Sequence, residues 1–350
     1  MINTLNLQLK HILKVSGIMT DNPSLNPLVA LTLQTMSEVN KVILDRLQSD
    51  ASLIPQLAGH LIAAGGKRLR PMLCIAASMA SSKNTNTSPE SALYLAASVE
   101  FIHNATLLHD DVIDSSGQRR GKQTANTLWG NEASVLVGDF LFARAFQLMV
   151  ETNDIWVLEK LSLAAAQITE GEVKQMSMLG QPGSSLSDYF SVIKGKTGVL
   201  FAAAAQTGAK VGGGDKIVCE AFYQYGLALG NAFQIMDDAL DYGASDGQIG
   251  KDLGDDFSEM KITLPIILSW QDSSYKERKF WKRTLNTGNQ KEGDFEQAQL
   301  IINKYSCIER SLDFATAEVE KAKNAISNVQ DSMLKDALIE AAEFSALRDS

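Results

Sequence analysis

Two short strings of the same design constrain this chain more than any other feature. LLHDDVID around Asp110 and QIMDDALD around Asp237 each set aspartates at i, i+1 and i+4. On a helix, residues four apart lie one turn apart on one face, so Asp110 with Asp114, and Asp237 with Asp241, aim carboxylates at a common point. Like charges held that close cost stability unless a cation lies between them, and hard oxygen ligands at this spacing suit Mg²⁺ that also binds substrate phosphates. The plain alternative is a solvated acidic helix face. Against it stand the apolar neighbours Leu107, Leu108, Val112 and Ile113, and Ile235, Met236, Ala239 and Leu240, which mark both helices as largely buried.

The rest of the chain is helical in pattern. Apolar residues recur at helical spacing, as in Leu53, Leu57, His60, Leu61 and Ala64 before Gly65-Gly66, and strand-like alternation is hard to find. Stretches rich in Gly, Ser, Asn or Asp at 81–88, 180–187, 212–215, 243–254 and 287–293 predict breaks between helices. The 7 prolines fall mostly at segment edges, among them Pro55, Pro71 and Pro182. With 45% hydrophobic and 21% charged residues the chain can bury a sizeable core. GVLFAAAAQTGA from Gly198 is too short and too alanine-rich to span a membrane and reads as a buried helix.

Charge and cysteine usage exclude several classes. Lys+Arg 32 against Asp+Glu 41 gives −9, which argues against nucleic acid as the main partner, so an anionic substrate would need local basic clusters or a metal. Cys74, Cys219 and Cys307 are far apart and without CxxC spacing, which fits a reducing compartment and neither a disulfide framework nor structural zinc. The amphipathic start MINTLNLQLKHILKVSGIMT lacks arginine, a continuous apolar run and a cleavage site, so it reads as non-secretory. A cytoplasmic location with peripheral membrane contact is expected, with mitochondrial targeting as the alternative.

Basic residues supply local anion sites. GGKRLRP, residues 65–71, places Lys67 and Arg70 three apart before a proline suited to a helix's first turn, where backbone N–H groups and a bidentate guanidinium bind anions. Arg119-Arg120-Gly121 sets two guanidiniums in a loop just after the first aspartates. Lys196-Thr197 in SVIKGKTGVLF has a plain alternative as a surface helix kink, and His103 in FIHNATLLH has one as a satisfied core histidine. His109 is read as structural.

Taken together these strings resemble the trans-isoprenyl diphosphate synthases, from about residue 50 to 270. FIHNATLLHDDVIDSSGQRRG is similar to that family's first aspartate-rich motif, and GNAFQIMDDALDY with GKDLGDDFSEMKITLP to its second. ASLIPQLAGHLIAAGGKRLRP, LWGNEASVLVGDFLFARAFQLM and ITEGEVKQ resemble the long-chain members that make quinone side chains. Departures are Ser115 and Ser116, where acidic residues are common, Gln118 before the arginine pair, and Met260 where glycine usually precedes the lysine.

The resemblance implies roles residue by residue. Lys67, Arg70 and His103, with Arg120, hold the diphosphate of isopentenyl diphosphate, the substrate that needs no metal. Asp110, Asp114 and Asp237 anchor Mg²⁺ on the allylic diphosphate, and Asp111, Asp238 and Asp241 support them through water or hydrogen bonds. Arg119, Lys196, Lys251 and Lys261 neutralise the leaving group, while Thr197 and Gln234 line the carbocation. The division is physically sound, because departing diphosphate develops negative charge that metal ions and fixed cations stabilise in a dry site. The reaction is ionisation, condensation and elimination, with the departing diphosphate as base and no nucleophilic side chain required.

Product length is read below the first aspartates. Five residues back from Asp110 is about 7.5 Å along a helix, at Ala105 with Thr106 beside it. In short-chain members of the resembled family an aromatic residue blocks growth there, so two small side chains imply an open tunnel and an octaprenyl to decaprenyl product. The plain alternative is that Ala105 packs against a neighbouring helix.

The expected fold is all-α: a single domain over 31–350, a large helical bundle around a deep cavity across which the two aspartate-rich helices face each other, preceded by an amphipathic segment over 1–30. The resemblance implies Mg²⁺ as cofactor, isopentenyl diphosphate and an allylic diphosphate such as farnesyl diphosphate as substrates, a homodimer, and a product available to a membrane. Two rivals are weighed. A class I terpene cyclase needs no site of the Lys67, Arg70 and His103 kind and usually replaces the second aspartate motif with an Asn/Ser/Glu triad. A non-catalytic subunit of a heteromeric synthase commonly loses one aspartate motif, and here both are intact.

Overall fold

In a computed structural model of the chain, residues 25–63, 66–82, 89–119, 121–243 and 253–347 are described. Residues 1–24, Arg120 and Lys251 lie outside them. The first described helix, α1 (Asn26–Arg46), begins inside the segment that the sequence sets apart as 1–30. Pro27 suits its first turn, and Leu28 and Thr32 are fully buried, so the end of that segment is ordered and packs on the helical domain.

Helices follow in the order α2 (Leu53–Ala63), α3 (Leu69–Ser81) and α4 (Glu90–Ile113). A two-residue antiparallel ladder, β1 (Gln118–Arg119) and β2 (Lys122–Gln123), pairs Gln118 with Gln123 and Arg119 with Lys122. The chain continues through α5 (Ala125–Trp129), α6 (Asn131–Glu151), α7 (Ile155–Met178) and α8 (Leu186–Ile193). A π-helical turn (Lys194–Gly198) then leads directly into α9 (Val199–Val211) and on to α10 (Lys216–Leu240). After α11 (Asp255–Ser258) come α12 (Leu264–Asp272), α13 (Tyr275–Trp281), α14 (Asp294–Lys304), α15 (Cys307–Ala325) and α16 (Met333–Leu347).

Local sequence explains where these helices start. Asp154 caps α7 by accepting from the Trp156 N–H, and Asp215 caps α10 by accepting from Val218 N–H, both at 2.9 Å. Ser185 with Asp188 forms a capping box at α8.

α9 is the central helix. It is buried at every position from Val199 to Ala209 and packs against α3, α10 and α7. Its Gly208 meets α3 so closely that a Cβ there would come within 2.1 Å of the Cys74 carbonyl oxygen. α4 runs along α6, and α10 along α15, so both aspartate strings lie on long, well-packed helices.

Two apolar cores result. The larger gathers α1, α3, α4, α6, α9 and the first half of α10; the smaller surrounds α12 with Tyr189, Ile235, Tyr242 and Trp281. α10 passes from one to the other, and its aspartates fall at that passage. Cys74, Cys219 and Cys307 are free and buried. Among the described residues one helix, α6, is long and apolar enough to cross a membrane, yet one of its faces packs on α4 and leaves Leu136 and Val150 exposed.

Candidate active site

The two aspartate strings end their helices in the same way. Asp114 is the C-cap of α4 and Asp241 that of α10, and their N–H groups bond to the carbonyls of Asp110 (2.8 Å) and Asp237 (3.2 Å). Each triplet therefore surrounds a helix C-terminus, where the unsatisfied carbonyls already carry partial negative charge. Ser115, the first residue past α4, takes a left-handed φ of 53° that turns the chain toward β1.

The members of each triplet do different things. Asp111 is 1% exposed and accepts from Arg119 Nε at 3.0 Å and Nη2 at 2.8 Å, so this guanidinium is held by an aspartate eight residues upstream. The backbone around it is tied by Asn126, which donates to the Asp111 carbonyl at 3.0 Å, and by His60, whose Nε2 lies 2.9 Å from the Gln123 carbonyl oxygen. Asp110 stays half-buried. Burial raises its carboxyl well above the ordinary range, Lys196 opposes this, and Glu172 and Asp114 add to it.

In the second triplet, Asp238 is buried and accepts from Tyr189 Oη at 2.6 Å and Gln234 Nε2 at 2.8 Å. Burial raises its pKa, the two donors pull it down, and Asp237 and Asp241 push it up again. Asp241 accepts from the backbone N–H of Asp256 at 3.1 Å. Burial also drives the Asp256 carboxyl far up, reinforced by Asp238 and Asp241.

Lysines knit the two halves together. Lys261 Nζ lies 3.1 Å from Asp114 Oδ2 and also contacts Glu259. Burial works to lower its pKa, but Asp114, Asp256 and Glu259 together raise it above the ordinary lysine value. Met260, which replaces the expected glycine, adopts a left-handed φ of 57°, and this explains why glycine suits that position. Lys196 projects from the π-helical turn and donates to Glu172 Oε2 and Gln175 Oε1, both at 2.9 Å. The turn therefore faces α7 rather than solvent. Gly171 and Gly195 let α7 and the turn touch, since a Cβ on Gly171 would lie 2.6 Å from the Lys196 backbone nitrogen. Thr197 is buried and donates to Gln234 Oε1 at 2.8 Å.

The basic residues expected to bind the second diphosphate lie at the start of α3. Lys67 lies with Nζ 4.9 Å from the centre of the Phe344 ring of α16, and the Arg70 guanidinium stacks 4.4 Å over Phe201 of α9. Between them Arg68 takes a left-handed φ of 45° as the N-cap of α3 and turns toward Asn40 and Glu100. His103 lies half-buried on α4, three residues along from Glu100. His109 packs against α6: Nε2 is 3.2 Å from the Val135 carbonyl oxygen, and its ring fills the space left by Gly138.

Thr106 and Ala105 part company. Thr106 is half-buried, as His103 and Asp110 are, and it is only about 40° from Asp110 around the helix. Ala105 is about 140° away and 0% exposed within the larger core. The structure thus puts Thr106, not Ala105, on the face of Asp110, because counting residues along an axis ignores rotation around it.

The donor set fits magnesium. Two triplets of hard carboxylate oxygens crowd two helix C-termini, and burial holds the Asp110 and Asp238 carboxyls above the ordinary range. Among the described residues no three carboxyl, imidazole or thiol groups converge into a ready-made metal cage. An ion here would complete its shell with phosphate oxygens and water, which is the usual mode for Mg²⁺.

Sequence reasoning did not single out Tyr189, Glu172, Gln175, Asp256 or Arg68. Glu172 and Gln175 lie in ITEGEVKQ and Asp256 in GKDLGDDFSEMKITLP, so the strings were recognisable although the contacts were not. Tyr189 carries no local signal at all.

The profile of the polyprenyl synthetase family matches residues 51–302. Octaprenyl diphosphate synthase of Escherichia coli is 40% identical over 319 residues, covering 91% of this chain and 97% of that one. A crystal structure of a decaprenyl diphosphate synthase from Rhodobacter capsulatus is 44% identical with a TM-score of 0.87, covering 91% of this chain and 97% of its own. A polyprenyl synthase from Caulobacter crescentus, complexed with calcium and isoprenyl diphosphate, is 46% identical with a TM-score of 0.89, covering 95% and 100%. The chain belongs to the polyprenyl synthetase family and is a trans-prenyltransferase.

Proposed function

We propose that this protein condenses isopentenyl diphosphate repeatedly with an allylic diphosphate, farnesyl diphosphate or similar, to make an all-trans polyprenyl diphosphate of octaprenyl to decaprenyl length for a quinone side chain. The observation that carries the reading is the bridge from Lys261, the lysine that follows the second aspartate string, to Asp114 of the first at 3.1 Å. The octaprenyl and decaprenyl synthases among its relatives support the product class.

Magnesium, when bound, would supply charge stabilisation for the departing diphosphate. Asp110, Asp114 and Asp237 are the residues that would hold it. Lys196 and Lys261, now paired with Glu172 and Asp114, exchange those partners for phosphate oxygens as negative charge develops. Arg119 orients Asp111. Thr197 and Gln234 direct side-chain oxygens to where the allylic cation forms. Lys67, Arg70 and His103 hold isopentenyl diphosphate with its double bond presented to that cation. Arg120 and Lys251 are assigned the same anion-binding duties by their motifs.

The exposed apolar face of α6, with Val135, Leu136, Phe146 and Val150, is where a second copy of the chain packs in a homodimer. The three free, buried cysteines are consistent with a cytoplasmic enzyme that hands its apolar product to a membrane.

Incubation with labelled isopentenyl diphosphate, farnesyl diphosphate and Mg²⁺, followed by chromatographic sizing, tests the reading. A prenyl ladder ending in one long species is expected. A cyclic hydrocarbon would establish the cyclase instead.

A further inference from the structure

Asp238 has both carboxylate oxygens engaged by side chains: Oδ1 by Gln234 and Oδ2 by the Tyr189 hydroxyl, at 2.8 and 2.6 Å. Gln234 is itself pinned, since its carbonyl oxygen accepts from Thr197 at 2.8 Å. One hydrogen-bonded chain therefore joins the π-helical turn, α10 and α8. Tyr189 is the end that cannot give. Its ring is 2% exposed, packed edge-on to Phe190, which in turn packs on Phe314 of α15.

The consequence falls on the neighbouring aspartate. Successive side chains on a helix point about 100° apart, so a residue that locks Asp238 inward also sets the rotation of the last turn of α10. Asp237 and Asp241 ride on that turn. A phenol has a single proton to donate, and here it goes to Asp238 Oδ2, which leaves that carboxylate no oxygen without a side-chain donor.

We propose that Tyr189 is a positioning residue for the metal-diphosphate half of the site: its hydroxyl fixes the Asp238 carboxylate in the wall of the cavity shared with Lys196 and Gln234, and with it the last turn of α10 that carries Asp237 and Asp241. This deepens the reading of the site as a magnesium-diphosphate centre and rests on it. Partners of this kind, one bond removed from the ligands, typically alter metal affinity about 10–100-fold when lost.

The test is calorimetric titration of Mg²⁺ in the presence of inorganic diphosphate, with Tyr189→Phe beside the wild type and melting curves for both. Tyr189→Phe should raise the half-saturating magnesium concentration about tenfold, while the KM for isopentenyl diphosphate stays within about twofold. A folded variant with unchanged magnesium binding overturns the inference, and so does an equal loss of both sites, which would mean general loosening. If Tyr189→Phe does not fold, Gln234→Met removes the other donor to the same carboxylate, and the same weakening of magnesium-diphosphate binding is expected; unaltered binding overturns the proposal. Wild-type protein that binds no magnesium diphosphate would instead overturn the reading of the site itself.

Discussion

The Lys261 ammonium lies 3.1 Å from Asp114 Oδ2, so the lysine that follows the second aspartate string reaches back 147 residues to the last aspartate of the first. Lys261 and Asp114 are 16% and 28% exposed, which places the pair well inside the cleft. Removing one partner leaves a carboxylate cluster without its fixed cation.

Lys261→Met should therefore lower the stability of the metal-free protein by about 1.5–3 kcal/mol, the usual cost of a lost charged hydrogen bond. Added Mg²⁺ should raise its melting temperature more than that of the wild type, because the ion then offsets the exposed repulsion among Asp114, Asp256 and Glu259. Melting curves with and without magnesium check this. An unchanged melting temperature in the metal-free variant would show that the bridge contributes nothing.

Product length should respond to Thr106 more cleanly than to Ala105. Thr106→Phe projects a ring along the face that carries Asp110 and should shorten the product while the protein stays stable. Ala105→Phe must force a ring into a position that is 0% exposed, and overpacking of that kind costs about 1–3 kcal/mol. Product sizing beside thermal melting separates the two outcomes. Full-length product from a folded Thr106→Phe variant would move the tunnel floor elsewhere.

The aspartate strings were legible because i, i+4 spacing on an apolar helix is a local signal, whereas the left-handed Arg68 that separates Lys67 from Arg70 at the start of α3 was not. Ala105 and Thr106 lie at similar depth along the helix but differ in burial, because burial depends on rotation around the axis, which a residue count does not give. Contacts such as Tyr189 with Asp238, 49 residues apart, or Lys196 with Glu172, 24 apart, arise only when helices pack, and no string announces them. Met260 lies between these cases. Its departure from glycine was visible in the sequence, but its left-handed backbone was not.

Acid stability should carry the mark of Glu277, far from the cleft. Burial raises this carboxyl, but hydrogen bonds from Lys304, Ser274 and Tyr305 outweigh it and bring it from 4.5 down to about 2. A depressed carboxyl contributes stability above its unfolded value and loses it as pH falls through the folded one. Glu277→Gln keeps an N3 side chain able to bond Ser274 while removing the charge. The melting-temperature gap between wild type and this variant should be constant above about pH 5 and close as pH falls toward 2. A gap that persists unchanged at low pH would assign the effect to packing.

The central claim is that both aspartate triplets act together on one metal-bound diphosphate. The most direct measurement is single-turnover product formation with Mg²⁺ and saturating substrates in Asp110→Ala and Asp237→Ala, each compared with the wild type and checked for folding by melting. Both folded variants should lose at least about 10²–10³-fold in rate, the scale of removing one preorganised group that stabilises transition-state charge. Near-normal turnover in either one would contradict the account.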